Sequence, residues 1–193
     1  MKRSLAFLVV AALAAALAQE PGVAALVAGA LEQVGRTPGY DPSYRRIAYP
    51  GGDVPLATGV CTDVVVRAFR RAGIDLQVLV HEDMKAHFAA YPPLWGLRRP
   101  DPNIDHRRVP NLAAFFRRRG KAVPVTRRGA DYLPGDVVTW RLPSGVPHVG
   151  IVSDRPVART DRRLVVHNIG AGTRLEDVLF AYEVTGHYRY FAR

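Results

Sequence analysis

The chain has 193 residues, with 27 lysines and arginines against 17 aspartates and glutamates, a formal charge of +10. Its one cysteine, Cys61, excludes an internal disulfide framework. No basic zipper, finger or aromatic RNP run accompanies the charge, so nucleic acid is set aside and an anionic surface, a cell-wall polymer or lipid headgroups, is the expected partner.

Met1-Lys2-Arg3 is a short basic start, Leu5 to Leu17 is an uncharged apolar run, and Ala16-Leu17-Ala18 is a small-x-small cleavage signal. Together they read as a secretory signal peptide, residues 1–18, cut after Ala18, whose apolar run is too short for a typical membrane span. The expectation is a periplasmic or secreted protein, not inserted in a membrane after cleavage and monomeric. Its single domain, 19–193, of about 175 residues is long enough for a real core.

Apolar residues at 23, 26, 27, 30, 31 and 34 have helical spacing, with Gly35 as a stop. Arg36 to Pro55, rich in Pro, Gly, Tyr and Asp, reads as an ordered loop. A helix is expected from Cys61 to Ala72, ended by Gly73. Ile74 to Val80 is ambiguous. A third helix runs from His81 to Tyr91, stopped by Pro92-Pro93, and a fourth from Asn111 to Arg119, with irregular chain from Trp95 to Pro110 between them. After the Pro134-Gly135 turn signal the character changes. Val137–Leu142, Val146–Ser153, Arg163–Asn168 and Gly186–Ala192 read as strands. Helices first and antiparallel strands second is an α+β plan.

Free cysteine is often a small core residue. A lone thiol in an oxidising compartment is an oxidation liability unless it does chemistry. Cys61 opens a helix, where the dipole and free backbone N–H groups favour the thiolate and make a nucleophile. A thiol nucleophile needs an imidazole and a group to orient it. His148 starts an apolar strand, on one face with Gly150 and Val152, and Gly150 leaves space beside its ring. Alternation lets only one of His167 and Asn168 face that side, and either can orient an imidazole. Asp101-x-Asn103-x-Asp105 opens like a calcium loop but lacks the Gly and the closing Glu. His106 with Asp101 or Asp105 is the remaining metal candidate, and neither metal nor cofactor is expected. Ser153 has no nucleophile-elbow context.

The series Cys61, Pro134-Gly135-Asp136-Val137-Val138, His148-Val149-Gly150-Ile151-Val152 and Val166-His167 resembles the NlpC-type papain-like cell-wall hydrolases. That resemblance implies a nucleophile helix packed on an antiparallel sheet, with Cys61 as nucleophile, His148 as base and His167 as orienting residue. Tyr49, before Pro50-Gly51-Gly52, is similar to a family Tyr-Gly-Gly and is expected to line the site. More closely, Tyr49–Pro55, Gly59–Val65, His81–Met84, Pro102–Asn111, His167–Gly170 and Gly186–Tyr190 resemble an exported bacterial family known as domain of unknown function 1287. The residues Val60-Cys61-Thr62-Asp63 depart from the usual Asp-Cys-Ser-Gly, and the segment between Cys61 and Asp136 is longer than in NlpC-type enzymes.

The implied activity is cleavage of an amide or peptide bond in peptidoglycan stem peptides or crosslinks. Asp63 and Asn168 are expected beside the substrate. Arg107 and Arg108 are expected to grip a carboxylate, which guanidinium matches in shape. The alternatives are an amidase or acyltransferase on another envelope molecule, and a non-catalytic wall-binding module.

Overall fold

The computed structural model describes residues 20–191. The expected leader, residues 1–18, lies outside the described residues. Within them the chain is α+β, as expected: α1 (Pro21–Leu31), α2 (Cys61–Arg71), α3 (Leu76–His87) and α4 (Val109–Arg118) precede β1 (Val137–Arg141), β2 (Pro147–Pro156), β3 (Arg163–Asn168), β4 (Thr173–Glu176) and β5 (Glu183–Tyr188). The sheet is antiparallel throughout, in the order β4-β3-β2-β1-β5.

Local chemistry explains the boundaries. Extended Val60 turns the chain into α2, and its N–H donates to Asp63 Oδ2 at 2.7 Å, so an acidic side chain in the first turn closes the helix start. At the other end Gly73 adopts φ 78° and the Ile74 N–H bonds back to Phe69 O, a glycine-terminated helix end. The ambiguous stretch before His81 is helical because Asp75 caps it, accepting from the Gln77 N–H at 3.0 Å. Strand β4 is a finding the alternation did not forecast, since Thr-Arg-Leu-Glu carries no repeated apolar pattern. The closing strand starts earlier than expected, at Glu183.

Helix α2 lies on the β2–β3 part of the sheet with α1 against it. Val64, Val65 and Phe69 of α2 and Leu112 and Phe116 of α4 bury against Val137, Val149, Ile151, Val166 and Tyr188. The opposite face is also covered. Val138, Trp140, Val152 and Val165 pack with Tyr132 and Leu179, and the Trp140 indole N–H donates to Leu179 O at 3.0 Å. At the start of β1, Asp136 receives the Arg189 fork at 2.8 and 2.7 Å and lies 2.7 Å from His187 Nε2, tying β1 to β5.

At Gly150 there is no room for a side chain between β2 and β3. A Cβ there would stand 2.8 Å from Val165 Cγ1, 2.9 Å from Val166 O and 3.1 Å from His167 Cβ. Two of those neighbours are a ladder carbonyl and a side-chain root, which cannot swing away. Gly150→Ala should therefore cost about 1–3 kcal/mol through overpacking. Urea unfolding measures this, and an unchanged midpoint contradicts it.

Candidate active site

Cys61 is the first residue of α2 and is 5% exposed. Its sulfur sits where β3 leaves β2. The β2–β3 register runs from Gly150↔His167 onward, and just before it the Val149 N–H points at the sulfur instead of at β3. The N–H groups of Thr62 and of Cys61 itself point there too. Those three donors favour the thiolate, but burial opposes them and wins, pushing the Cys61 thiol up to about 12. The expected helix-start thiolate is therefore corrected: depth of burial outweighs the dipole.

His148 lies on β2 beside Val149 and is buried. Its Nε2 is 2.9 Å from His167 Nδ1, and His167 Nε2 is 3.0 Å from Glu176 Oε2. The two imidazoles cross at 77°, with Gly150 opening the space between strands for them. Trp140 lies alongside His148, ring centres 5.8 Å apart. The carboxylate fixes the whole series of tautomers. Glu176 accepts from His167 Nε2–H, so His167 Nδ1 is an acceptor, His148 Nε2 is the donor, and His148 Nδ1 carries the lone pair. Burial and then His167 pull His148 down to about 3, while His167 is lowered by burial against the pull of Glu176. Both the thiol and the imidazole rest neutral.

Strand alternation places His148 with Gly150 and Val152 on the Trp140 face, while Val149 faces the helices. Cys61 packs in the helix-side cluster with Val149, so the sulfur and the His148 imidazole lie on opposite sides of the first residues of β2, and no hydrogen bond joins them.

The sequence matches the family described as Domain of unknown function (DUF1287) across residues 27–190. The chain belongs to this family. It is 55% identical over 169 residues, 88% of this chain and 82% of the other, to "Uncharacterized protein YijF" of Escherichia coli (strain K12). Among solved structures, NlpC1 from Trichomonas vaginalis superposes with a TM-score of 0.43 and 17% identity, covering 85% of this chain and 44% of that one. The present chain therefore spans less than half the length of that structure's chain.

Other expected site residues of this DUF1287 chain lie elsewhere or do other work. Asp63 and Arg107 do not present themselves to a ligand. Arg107 Nε and Nη2 bond the Asp63 carboxylate at 2.8 and 3.0 Å, and its remaining N–H groups reach Ser43 O and Asp41 O. The pair is internal, its side chains 2% and 4% exposed, so the guanidinium expected to grip substrate instead anchors the helix start to the 41–43 loop. Arg108 stacks on Trp95, 4.1 Å from the ring centre. Tyr49 is turned toward α3, its hydroxyl donating to Glu82 Oε1 at 2.8 Å and its ring edge-on to His81. Asn168 is fully buried and clamps Gly39 O and Gly59 O, both at 3.1 Å, fixing the two segments that lead toward Cys61. His167, not Asn168, faces His148.

Sequence reasoning missed two neighbours. Tyr40 is close enough to the sulfur that burial, then Cys61 and Asp63, raise its phenol, with Arg107 opposing. Glu176 was hidden on the unforeseen β4, where it pairs across from Val165. Tyr40 stands in a loop of three tyrosines, and nothing in the pattern separated it from Tyr49.

Removing the Arg107 side chain would leave Asp63 buried and uncompensated. Arg107→Ala is expected to cost about 3–5 kcal/mol, and Arg107→Lys also destabilises because an ammonium cannot span both carboxylate oxygens and two carbonyls. Chemical denaturation checks this, and a cost under about 1 kcal/mol, as for an exposed pair, contradicts it.

The depressed His148 makes a pH prediction. A neutral histidine stabilises the fold fully above the unfolded value of 6.5, and that contribution is lost as pH falls toward about 3. Between pH 6.5 and 4 the wild type should lose on the order of 3 kcal/mol more than His148→Gln. Urea midpoints across that range measure it, and parallel curves contradict it.

Proposed function

We propose that this chain is a cysteine hydrolase of amide or peptide bonds, acting outside the cytoplasm on peptidoglycan stem peptides or crosslinks. The observation that carries the reading is the series His148–His167–Glu176, which ends in an unprotonated Nδ1 on the residue next to Val149, whose N–H holds the Cys61 sulfur. Because thiol and imidazole rest neutral, attack is by general base. Attack requires the start of β2 to shift so that His148, still bonded to His167, meets the sulfur, and Nδ1 takes the thiol proton as the S–C bond forms. His167, held by Glu176, steadies the imidazolium. The Cys61 N–H and its neighbour's receive the oxyanion, contributing on the order of 3 kcal/mol. The imidazolium then protonates the leaving amine, and a water activated by the same nitrogen releases the acyl group from sulfur.

A substrate in the wall follows from the basic charge and the expected leader. An amidase or acyltransferase acting on another envelope molecule would use the same residues. A non-catalytic wall-binding module is the reading favoured by one observation, the depth at which the thiol is buried.

Incubation of the purified protein with wall sacculi separates these. New muropeptides should appear with wild type and fall about 100-fold or more with Cys61→Ala and with His148→Gln. Release of products by Cys61→Ala at the wild-type rate would defeat the hydrolase. Binding to sacculi without any cleavage by wild type would support the module.

A further inference from the structure

A cleft of about 960 Å³ opens between the 44–46 loop, α3 and the 96–103 loop. It is lined by four cations, Arg46, Lys85, Arg98 and Arg99, which come from three separate segments, together with His81. Lys85 is paired with Glu82 at 3.1 Å. Among the described residues, no carboxylate lies within ion-pair reach of Arg46, Arg98 or Arg99, whereas Arg45 beside Arg46 is paired with Asp41 at 2.7 Å. The one carboxylate in the lining, Asp101, is already engaged. It accepts from the Tyr44 hydroxyl at 3.0 Å and from both the backbone and side-chain N–H of Asn103. Asn103 in turn accepts the Ile47 N–H at 3.0 Å, so the walls are cross-linked before any ligand enters. At the floor, His81 has a buried Nδ1 with no hydrogen-bond partner, 3.8 Å from the buried Asp105.

Arg46, Arg98 and Arg99 are exposed on a cross-linked wall, so their N–H donors are free for an anion that enters the cleft. A single carboxylate occupies one guanidinium fork. A phosphate offers oxygens in several directions and can take donors from separate segments at once. We propose that this cleft is a binding site for a phosphate-bearing ligand, with Arg46, Arg98 and Arg99 as its donors. An apolar hollow of about 300 Å³ adjoins it, lined in part by Phe88, Tyr91, Leu94 and Trp95, and Leu97 borders both spaces. The phosphate is therefore either free or the head of an amphiphile whose chain enters the hollow. Neither possibility depends on Cys61.

Calorimetric titration at low salt tests the site, with inorganic pyrophosphate as the probe. Saturable binding is expected. The dissociation constant should rise about tenfold or more in Arg98→Gln/Arg99→Gln. It should stay within about twofold of wild type in Arg127→Gln/Arg128→Gln, an arginine pair outside the cleft with the Arg128 side chain 77% exposed. Thermal melts confirm that both variants are folded. No saturable binding, or equal weakening by the two pairs, overturns the proposal. Hexyl phosphate set against inorganic phosphate then distinguishes the sources. Tighter binding of the alkyl ester, lost in Leu94→Ser/Trp95→Ser, assigns a lipid-type headgroup, and equal binding of the two assigns a free phosphate.

Discussion

The placement of Cys61 depends on one buried ion pair. Asp63 closes the first turn of α2 by accepting the Val60 N–H, and the same carboxylate is held by both arms of the Arg107 fork. Arg107 then bonds the carbonyls of Asp41 and Ser43. One guanidinium thus joins the helix that carries the sulfur, the loop that carries Tyr40, and the turn that leads into α4. Removing two charges from water costs several kcal/mol each, and only complete hydrogen bonding of this kind offsets that. The arrangement is therefore all or nothing. With the pair intact, the helix start has one position.

That position sets the electrostatics of the site. The sulfur is deep enough that burial dominates three backbone donors, and the same low-dielectric surroundings keep His148 unprotonated. A resting thiolate–imidazolium pair would need two buried charges, where a neutral pair needs none. Buried donors aimed at the sulfur then count most when charge develops there, as the proposed hydrolysis would require. Glu176 serves at a distance. It lies at the edge of the sheet on a short strand, yet it fixes the tautomer of His167 and through it the free nitrogen of His148.

Much of this was legible in the residues. Cys61 at a helix start, His148 on an apolar strand and His167 on the next were visible because period and punctuation are local signals, and the sheet does set His167 beside His148. What alternation left open, His167 or Asn168, the register decides. Burial was not legible. Asp63, Asn168 and Arg107 are polar residue types that usually face water, and here they are internal because each meets a complete set of partners contributed by distant segments. The same reason hid Glu176 and misplaced Tyr49. Short irregular strands and loop tyrosines take their positions from tertiary contacts, which no window of sequence contains.

The central claim is that one neutral imidazole serves one neutral thiol across the end of β2. Imidazole nitrogen NMR on the native protein tests it most directly, following His148 from pH 4 to 8 before and after S-methylation of Cys61. The account predicts that His148 stays uncharged, with its proton on Nε2, down to about pH 5, and that capping the sulfur shifts its Nδ1 resonance. A His148 that protonates near 6.5, or whose nitrogen signals are the same with the sulfur free and capped, would contradict it.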